Sequence, residues 1–98
     1  MEFVCLVKNE NVRKAEEILK KDDVTSRLGI TIRDAKAVGL HLNGTIFIID
    51  GADEGVKRAK ELIKDLIENA ENKDLEIAKH RIKEEQDRAA EGFGGIFG

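Results

Sequence analysis

The alternation of apolar and polar positions is clearest in the middle of the chain, over residues 44–67. Residues 46–49 form a short run of Ile and Phe between Gly44 and the pair Asp50-Gly51, which predicts a buried strand. After that turn, apolar residues recur every three or four positions, at Val56, Ala59, Leu62, Ile63, Leu66, Ile67 and Ala70. This spacing predicts an amphipathic helix that packs against the sheet containing the strand.

The first twenty residues repeat this strand and helix pattern. Residues 3–7 are continuously apolar, which predicts a strand in the centre of the sheet. Asn9 is a candidate cap for a helix that reaches about Lys21. The buried side of that helix would carry Val12, Ala15, Ile18 and Leu19.

Residues 22–39 allow two interpretations. The favoured one is a short helix over 32–38, with Thr31 and Asp34 as a capping pair and Gly39 as the C-terminal cap. The competing one is a strand over 28–33, because residues 29–33 also alternate between apolar and polar.

The closing strand and helix resemble those of KH domains, which are small α+β modules that bind RNA. Residues 3–7, 10–21, 32–38 and 45–49 would give the order strand, helix, helix, strand that is typical of the KH core. The resemblance covers about two-thirds of the chain and implies a KH-like fold. It is carried by Ile46, Ile48, Gly51, Glu54, Val56, Ala59 and Ile63.

KH domains grip the nucleic-acid backbone with a GxxG loop between the two core helices. The corresponding residues here, 22–29, read DDVTSRLG and contain one glycine, so no KH functional residue is carried over. A net charge of −3 without a basic segment also disfavours nucleic acid as the partner. The candidate nucleic-acid contacts are the cations around this loop, Lys20, Lys21, Arg27, Arg33 and Lys36.

We therefore predict an α+β domain over residues 1–70, with a small sheet covered on one face by helices in the order β-α-α-β-α. The alternative is a ferredoxin-like βαββα order, in which 28–33 is a strand. Since two strands alone make a marginal sheet, we expect this additional strand or extension of the sheet across a dimer. The predicted core comprises Phe3, Cys5, Val7, Leu19, Ile32, Val38, Ile46, Ile48, Ile63 and Leu66.

Residues 71–98 are predicted to form a charged helical extension that ends in a tail rich in Gly and Phe. Its apolar positions are sparse, so the helix should be mostly solvated or half-buried against another subunit. The tail carries large apolar residues, which makes Phe93, Ile96 and Phe97 candidate partner-binding residues.

The chain offers little catalytic chemistry. His41 and His80 fall in different elements without metal-ligand spacing, and Cys5 lies in an apolar run that favours a buried, unreactive thiol. The turn over residues 50–55 matches neither phosphate-binding motif, and its acids are expected to cap the helix that follows. We expect no catalytic, cofactor or metal site, and no enzymatic activity.

The favoured hypothesis is a non-enzymatic interaction module that acts by self-association or protein binding, as a homo-oligomer or with a protein partner. The alternative is KH-like binding of RNA or single-stranded nucleic acid. No apolar stretch has membrane-spanning length and no signal-peptide pattern is seen, so we expect a cytoplasmic protein. Charged residues make up 38% of the chain, and this abundance of Lys and Glu is typical of thermophile proteins and also of chains with a high helix content.

Overall fold

The computed structural model describes residues 1–97, with side chains described up to Arg88. The strands are β1 (Glu2–Val7), β2 (Gly29–Asp34), β3 (Thr45–Asp50) and β4 (Ile67–Glu68). The helices are α1 (Val12–Lys21), α2 (Asp53–Ile63) and α3 (Asn72–Phe97). Single 3-10 turns lie at Asn9–Asn11, Thr25–Arg27, Lys36–Val38 and Lys64–Leu66.

The four strands form one antiparallel sheet in the order β2-β3-β1-β4. β1 is central, as predicted, and pairs along its whole length with β3. β4 is short and reaches only Leu6 and Val7 of β1. The α+β class is confirmed, and the chain supplies its own additional strands.

Helices α1 and α2 cover one side of the sheet, called here the first face. Its core joins alternate residues of the central strands to the apolar stripes of the two helices. The fully buried members are Cys5, Val7, Ala15, Leu19, Phe47, Ile49, Ala59 and Ile63. The spacing that predicted amphipathic helices therefore predicted this layer correctly.

The prediction of a sheet covered on one face is wrong, because α3 covers the opposite side, called here the second face. β1 and β3 are apolar at consecutive positions, so both sides of the central strands need cover. The predicted core is accordingly split, and Val38, Ile46 and Ile48 belong to the second layer with Leu6 and Leu40.

The expectation that the last helix is mostly solvated is also wrong for its first half. Ala78 and Ile82 are fully buried on the second face, four positions apart on one side of α3. Leu75 and Ile77 pack beside them. Few apolar residues suffice here because the strands beneath supply most of the apolar surface.

The prediction of a helix over 32–38 is wrong, because residues Gly29–Asp34 form strand β2. Ile30 and Ile32 pack on the first face, and six backbone pairs with β3 outweigh the weak capping signal. Only Lys36–Val38 turns helically, and Gly39 ends that turn in the left-handed region at φ 84°, the cap that its position predicted.

The element order before the last strand is therefore βαββα, as in the ferredoxin-like alternative. The two consecutive core helices that accompany the KH resemblance are not among the described elements.

Candidate interaction surface

The loop between α1 and β2 is held by an ion pair to the second helix. Arg58 Nε donates to Asp22 Oδ1 at 2.9 Å and to Oδ2 at 2.8 Å, and Nη2 also donates to Oδ1. Oδ2 accepts the backbone N–H groups of Val24 at 3.1 Å and Thr25 at 3.0 Å. The hydrogen bonds from Arg58, followed by those from the loop, hold the pKa of the Asp22 carboxyl far below its usual range.

Behind this loop lies a groove of about 330 Å³, which contains both apolar and charged side chains. Val24 and Leu28 line its apolar part with Ala52, while Arg27 and Glu54 bring charge. Val24 is one of two large apolar residues that are exposed in the described part of the chain, at 46%. The groove is therefore a small mixed surface at one end of the sheet.

Leu28 explains the glycines in the turn between β3 and α2. A Cβ atom on Gly51 would lie 2.6 Å from Leu28 Cδ2, and one on Gly55 would lie 2.8 Å from the same atom. Gly51 also has φ 148°, which favours glycine. These glycines admit an apolar side chain, which supports a structural role for the turn.

The acids of this turn do not cap α2 through their side chains, which corrects the capping expected of them. The N-cap residue is Ala52, and it makes no side-chain capping bond. Asp53 and Glu54 lie in the first helical turn, where negative charge complements the helix dipole. Asp53 also lies 3.4 Å from the terminal amine of Met1.

The five cations proposed as nucleic-acid contacts are not brought into one patch. Lys20 is paired with Glu16 at 3.3 Å. Arg33 points to the second face and lies 3.5 Å from Glu85 of α3. Lys21 and Arg27 lie at the end of the sheet where β2 begins, whereas Lys36 follows the other end of β2.

The residues proposed to bind a partner, Phe93, Ile96 and Phe97, have side chains outside the described residues. The described part of α3 shows the direction in which this helix crosses the sheet. Glu2 on β1 contacts Lys79 and Lys83, each at 3.0 Å. Further along α3, Gln86 contacts Thr31 of β2 at 3.5 Å. The helix thus crosses the second face from β1 towards β2.

Contacts of charged side chains stabilise α3 in this position. Burial alone would raise the pKa of the Glu2 carboxyl, but hydrogen bonds from Lys79 and Lys83 outweigh it and lower the pKa. Arg81 Nη1 donates to the carbonyl of Val38 at 2.7 Å. A Cβ on Gly39 would lie 2.6 Å from that nitrogen, so the glycine leaves room for the guanidinium.

The cysteine and the two histidines lie in different elements of the fold. Cys5 is buried, which raises the pKa of its thiol to about 12. His80 lies 3.2 Å from Glu84 on an exposed side of α3, while His41 is in an exposed turn. Within the described residues, no three His, Cys, Asp or Glu side chains are grouped to hold a metal ion, and no helix is long and apolar enough to cross a bilayer.

The most extended open feature of the sheet is the outer edge of β2. Ala35 N–H donates to Gly44 C=O at 3.0 Å, in continuation of the β2–β3 register. Because hydrogen-bonded and non-hydrogen-bonded pairs alternate, the backbone groups of Thr31 and Arg33 face β3. Those of Ile30, Ile32 and Asp34 therefore face outwards, where the sheet has no further strand among the described residues.

One outward carbonyl is covered by the chain itself. Arg33 Nη1 donates to the carbonyl of Ile32 at 2.9 Å. Arg33 is thus folded along the edge, and its side chain stays 39% exposed. This edge carries no proline and no bulge over its six residues, two of the usual means of blocking strand addition. Its charged residues, a third means, are Arg33 and Asp34 at one end.

Sequence reasoning missed both the Asp22–Arg58 pair and this edge. The pair joins residues 36 positions apart, which no local pattern reveals. In the sequence, only the alternation of residues 29–33 indicates this edge, and the helix signature over 32–38 competes with it. Comparisons of the chain with protein-family models, with curated proteins and with solved structures find no match. A function for the chain therefore rests on its own residues and their geometry.

Proposed function

We propose that the chain is a non-enzymatic interaction module that works by self-association. The observation that supports the proposal is the outer edge of β2, which presents the backbone N–H groups of Ile30, Ile32 and Asp34. It also presents the C=O groups of Ile30 and Asp34, while the C=O of Ile32 accepts Arg33 Nη1. Unpaired backbone groups in a straight strand form a ready template for another strand. Natural proteins that do not use such an edge commonly protect it.

The side chains beside the edge also suit a protein partner. Ile30 and Ile32 are half-buried against the first face, and Thr31 and Arg33 are half-buried on the second. An added strand would complete the burial of the two Ile side chains, and burying apolar area contributes about 25 cal/mol per Å². Backbone hydrogen bonds would supply the remaining affinity.

Light scattering over a concentration series tests the proposal. The full chain has a mass of 10.9 kDa, and we expect particles of at least twice that mass at high concentration. The mass should fall towards that of one chain on dilution, as mass action requires. A single-chain mass at every concentration up to the millimolar range would overturn self-association.

A further inference from the structure

We propose that β2 pairs with β2 of a second copy, antiparallel, about a twofold axis that passes through Thr31. The pairing joins two four-stranded sheets into one continuous eight-stranded sheet. It rests on the proposed self-association and names the surface and the register. A twofold axis is the simplest closed symmetry, because the same patch serves both copies.

The backbone of β2 satisfies the first requirement of this register. With Thr31 opposite itself, Ile30 of one copy lies opposite Ile32 of the second copy. Both residues direct their N–H and C=O groups outwards, as the β2–β3 register shows. They therefore form hydrogen-bonded pairs on either side of the axis, in which the Ile30 N–H of the second copy replaces Arg33 Nη1 on the Ile32 carbonyl. Thr31 forms the non-hydrogen-bonded pair between them.

The side chains favour this register over those displaced towards the C-terminal end of β2. Directly opposed residues lie on the same face, so Ile30 meets Ile32 of the second copy twice on the first face. An axis through Ile32 would instead place Asp34 opposite Ile30. An axis through Arg33 would place two guanidinium groups opposite each other, which is destabilising.

The charges at the ends of the strand agree with the axis through Thr31. In that register Arg33 lies opposite Gly29 of the second copy. Gly29 has no side chain, and a Cβ built there would lie 2.4 Å from Asp50 Oδ1. The Asp50 carboxylate thus occupies the side-chain position of Gly29, on the second face and beside the edge. Arg33 is 39% exposed, lies 3.5 Å from Glu85 and donates to the Ile32 carbonyl. In the dimer its guanidinium would leave that carbonyl and meet the Asp50 carboxylate on each side of the axis.

A cysteine placed on the axis tests the register. In a non-hydrogen-bonded antiparallel pair the two Cα atoms are about 4.5 Å apart, a distance that a disulfide spans. We expect Thr31→Cys to form a covalent dimer when oxidised glutathione accepts the two electrons. Lys36→Cys is the matched control, because in this register its two copies would be separated by about 30 Å. The native Cys5 is buried and should not react.

A proline at Ile30 tests the edge itself. The Ile30 N–H faces outwards, so Ile30→Pro removes a donor to the second copy without breaking the bonds to β3. Ile30→Val keeps the donor and a β-branched side chain, and is the control. We expect circular dichroism to show that the proline variant stays folded. Its dimer should dissociate at a concentration at least tenfold higher than the dimer of the valine variant.

Exchange of charge provides a second check. Arg33→Asp and Asp50→Arg should each weaken the dimer, and the double variant should recover it. A dimer that persists in Ile30→Pro, or cross-links equally at residues 31 and 36, would overturn the β2 register while leaving self-association in place. A full chain that is monomeric throughout would overturn both, so the two failures are distinguishable.

Discussion

Arg58 binds the Asp22 carboxylate through both oxygens, with Nε at 2.9 Å from Oδ1 and 2.8 Å from Oδ2. The pair connects the end of α1 to the exposed side of α2. The same carboxylate accepts the backbone N–H groups of Val24 and Thr25 at the start of the turn over Thr25–Arg27, so one side chain orders the loop that leads into β2. The position of the edge strand thus depends on a long-range pair.

Replacing this carboxylate should lower stability in a pH-dependent way. The folded pKa of Asp22 is held below its unfolded value, so its contribution is present above the unfolded pKa and is lost as the pH falls. We expect Asp22→Asn to have a lower melting temperature than the native chain at pH 7. The difference should shrink below about pH 4, where the unfolded carboxyl takes up its proton.

Thermal melts from pH 2 to 8 measure this effect, with Asp23→Asn as the neighbouring control. Asp23 lies on the same loop, and its side chain makes no ion pair among the described contacts. A pH-independent difference between the native chain and Asp22→Asn would contradict the assigned cause.

The second layer of the core should be as important to folding as the first. Ile82 is fully buried between α3 and the sheet, so Ile82→Ala should lower the free energy of unfolding by about 2–5 kcal/mol. Asp87→Ala, on the exposed side of the same helix, should change it by less than about 0.5 kcal/mol. Urea denaturation measures both, and equal small effects would mean that α3 does not pack on the sheet.

The contact between Leu28 and the turn predicts a graded cost. Gly51→Ala introduces both the contact with Leu28 and an unfavourable φ of 148°, and we expect a loss of about 1–3 kcal/mol. Combining it with Leu28→Ala should remove the steric part of this cost and leave the backbone part. Full additivity in the double-mutant cycle would contradict direct contact.

The separation of the five cations predicts little affinity for nucleic acid. A single-stranded RNA titrated at low salt should bind weakly, and Arg27→Ala together with Arg33→Ala should leave the affinity almost unchanged. Tight binding with a steep salt dependence that these two changes abolish would restore the RNA-binding hypothesis.

The local layers of the fold were predictable because each depends on short-range periodicity. The runs at 3–7 and 46–49 each predicted a correct strand, and the stripe that begins at Val56 predicted α2. The stripe was wrong beyond Ile63, because α2 ends there and Ile67–Glu68 form β4. The segment 29–34 carried two local signals, and the pairing of Ile30 and Ile32 beside β3 decided between them. Packing against the neighbouring strand therefore outweighs a weak capping signal, and this packing cannot be read from the local sequence alone.

The second face was missed for a related reason. The consecutive apolar residues in β1 and β3 predict a central position in the sheet, and the prediction covered only one face. The segment after Lys73 has too few apolar positions to predict a second layer by itself. Ala78 and Ile82 are the two fully buried residues in the part of α3 whose side chains are described. They complete the second layer because the strands beneath them are apolar. The open edge of β2 follows from the order of the strands, which no local pattern contains.

The solution mass of a chain stopped after Glu91 tests the central claim most directly, because it separates the β2 edge from the apolar tail. The edge lies in residues 29–34, so light scattering should give twice the single-chain mass for both the full and the shortened chain. A shortened chain that is monomeric where the full chain is dimeric would assign assembly to the tail and contradict pairing through β2 as the basis of association.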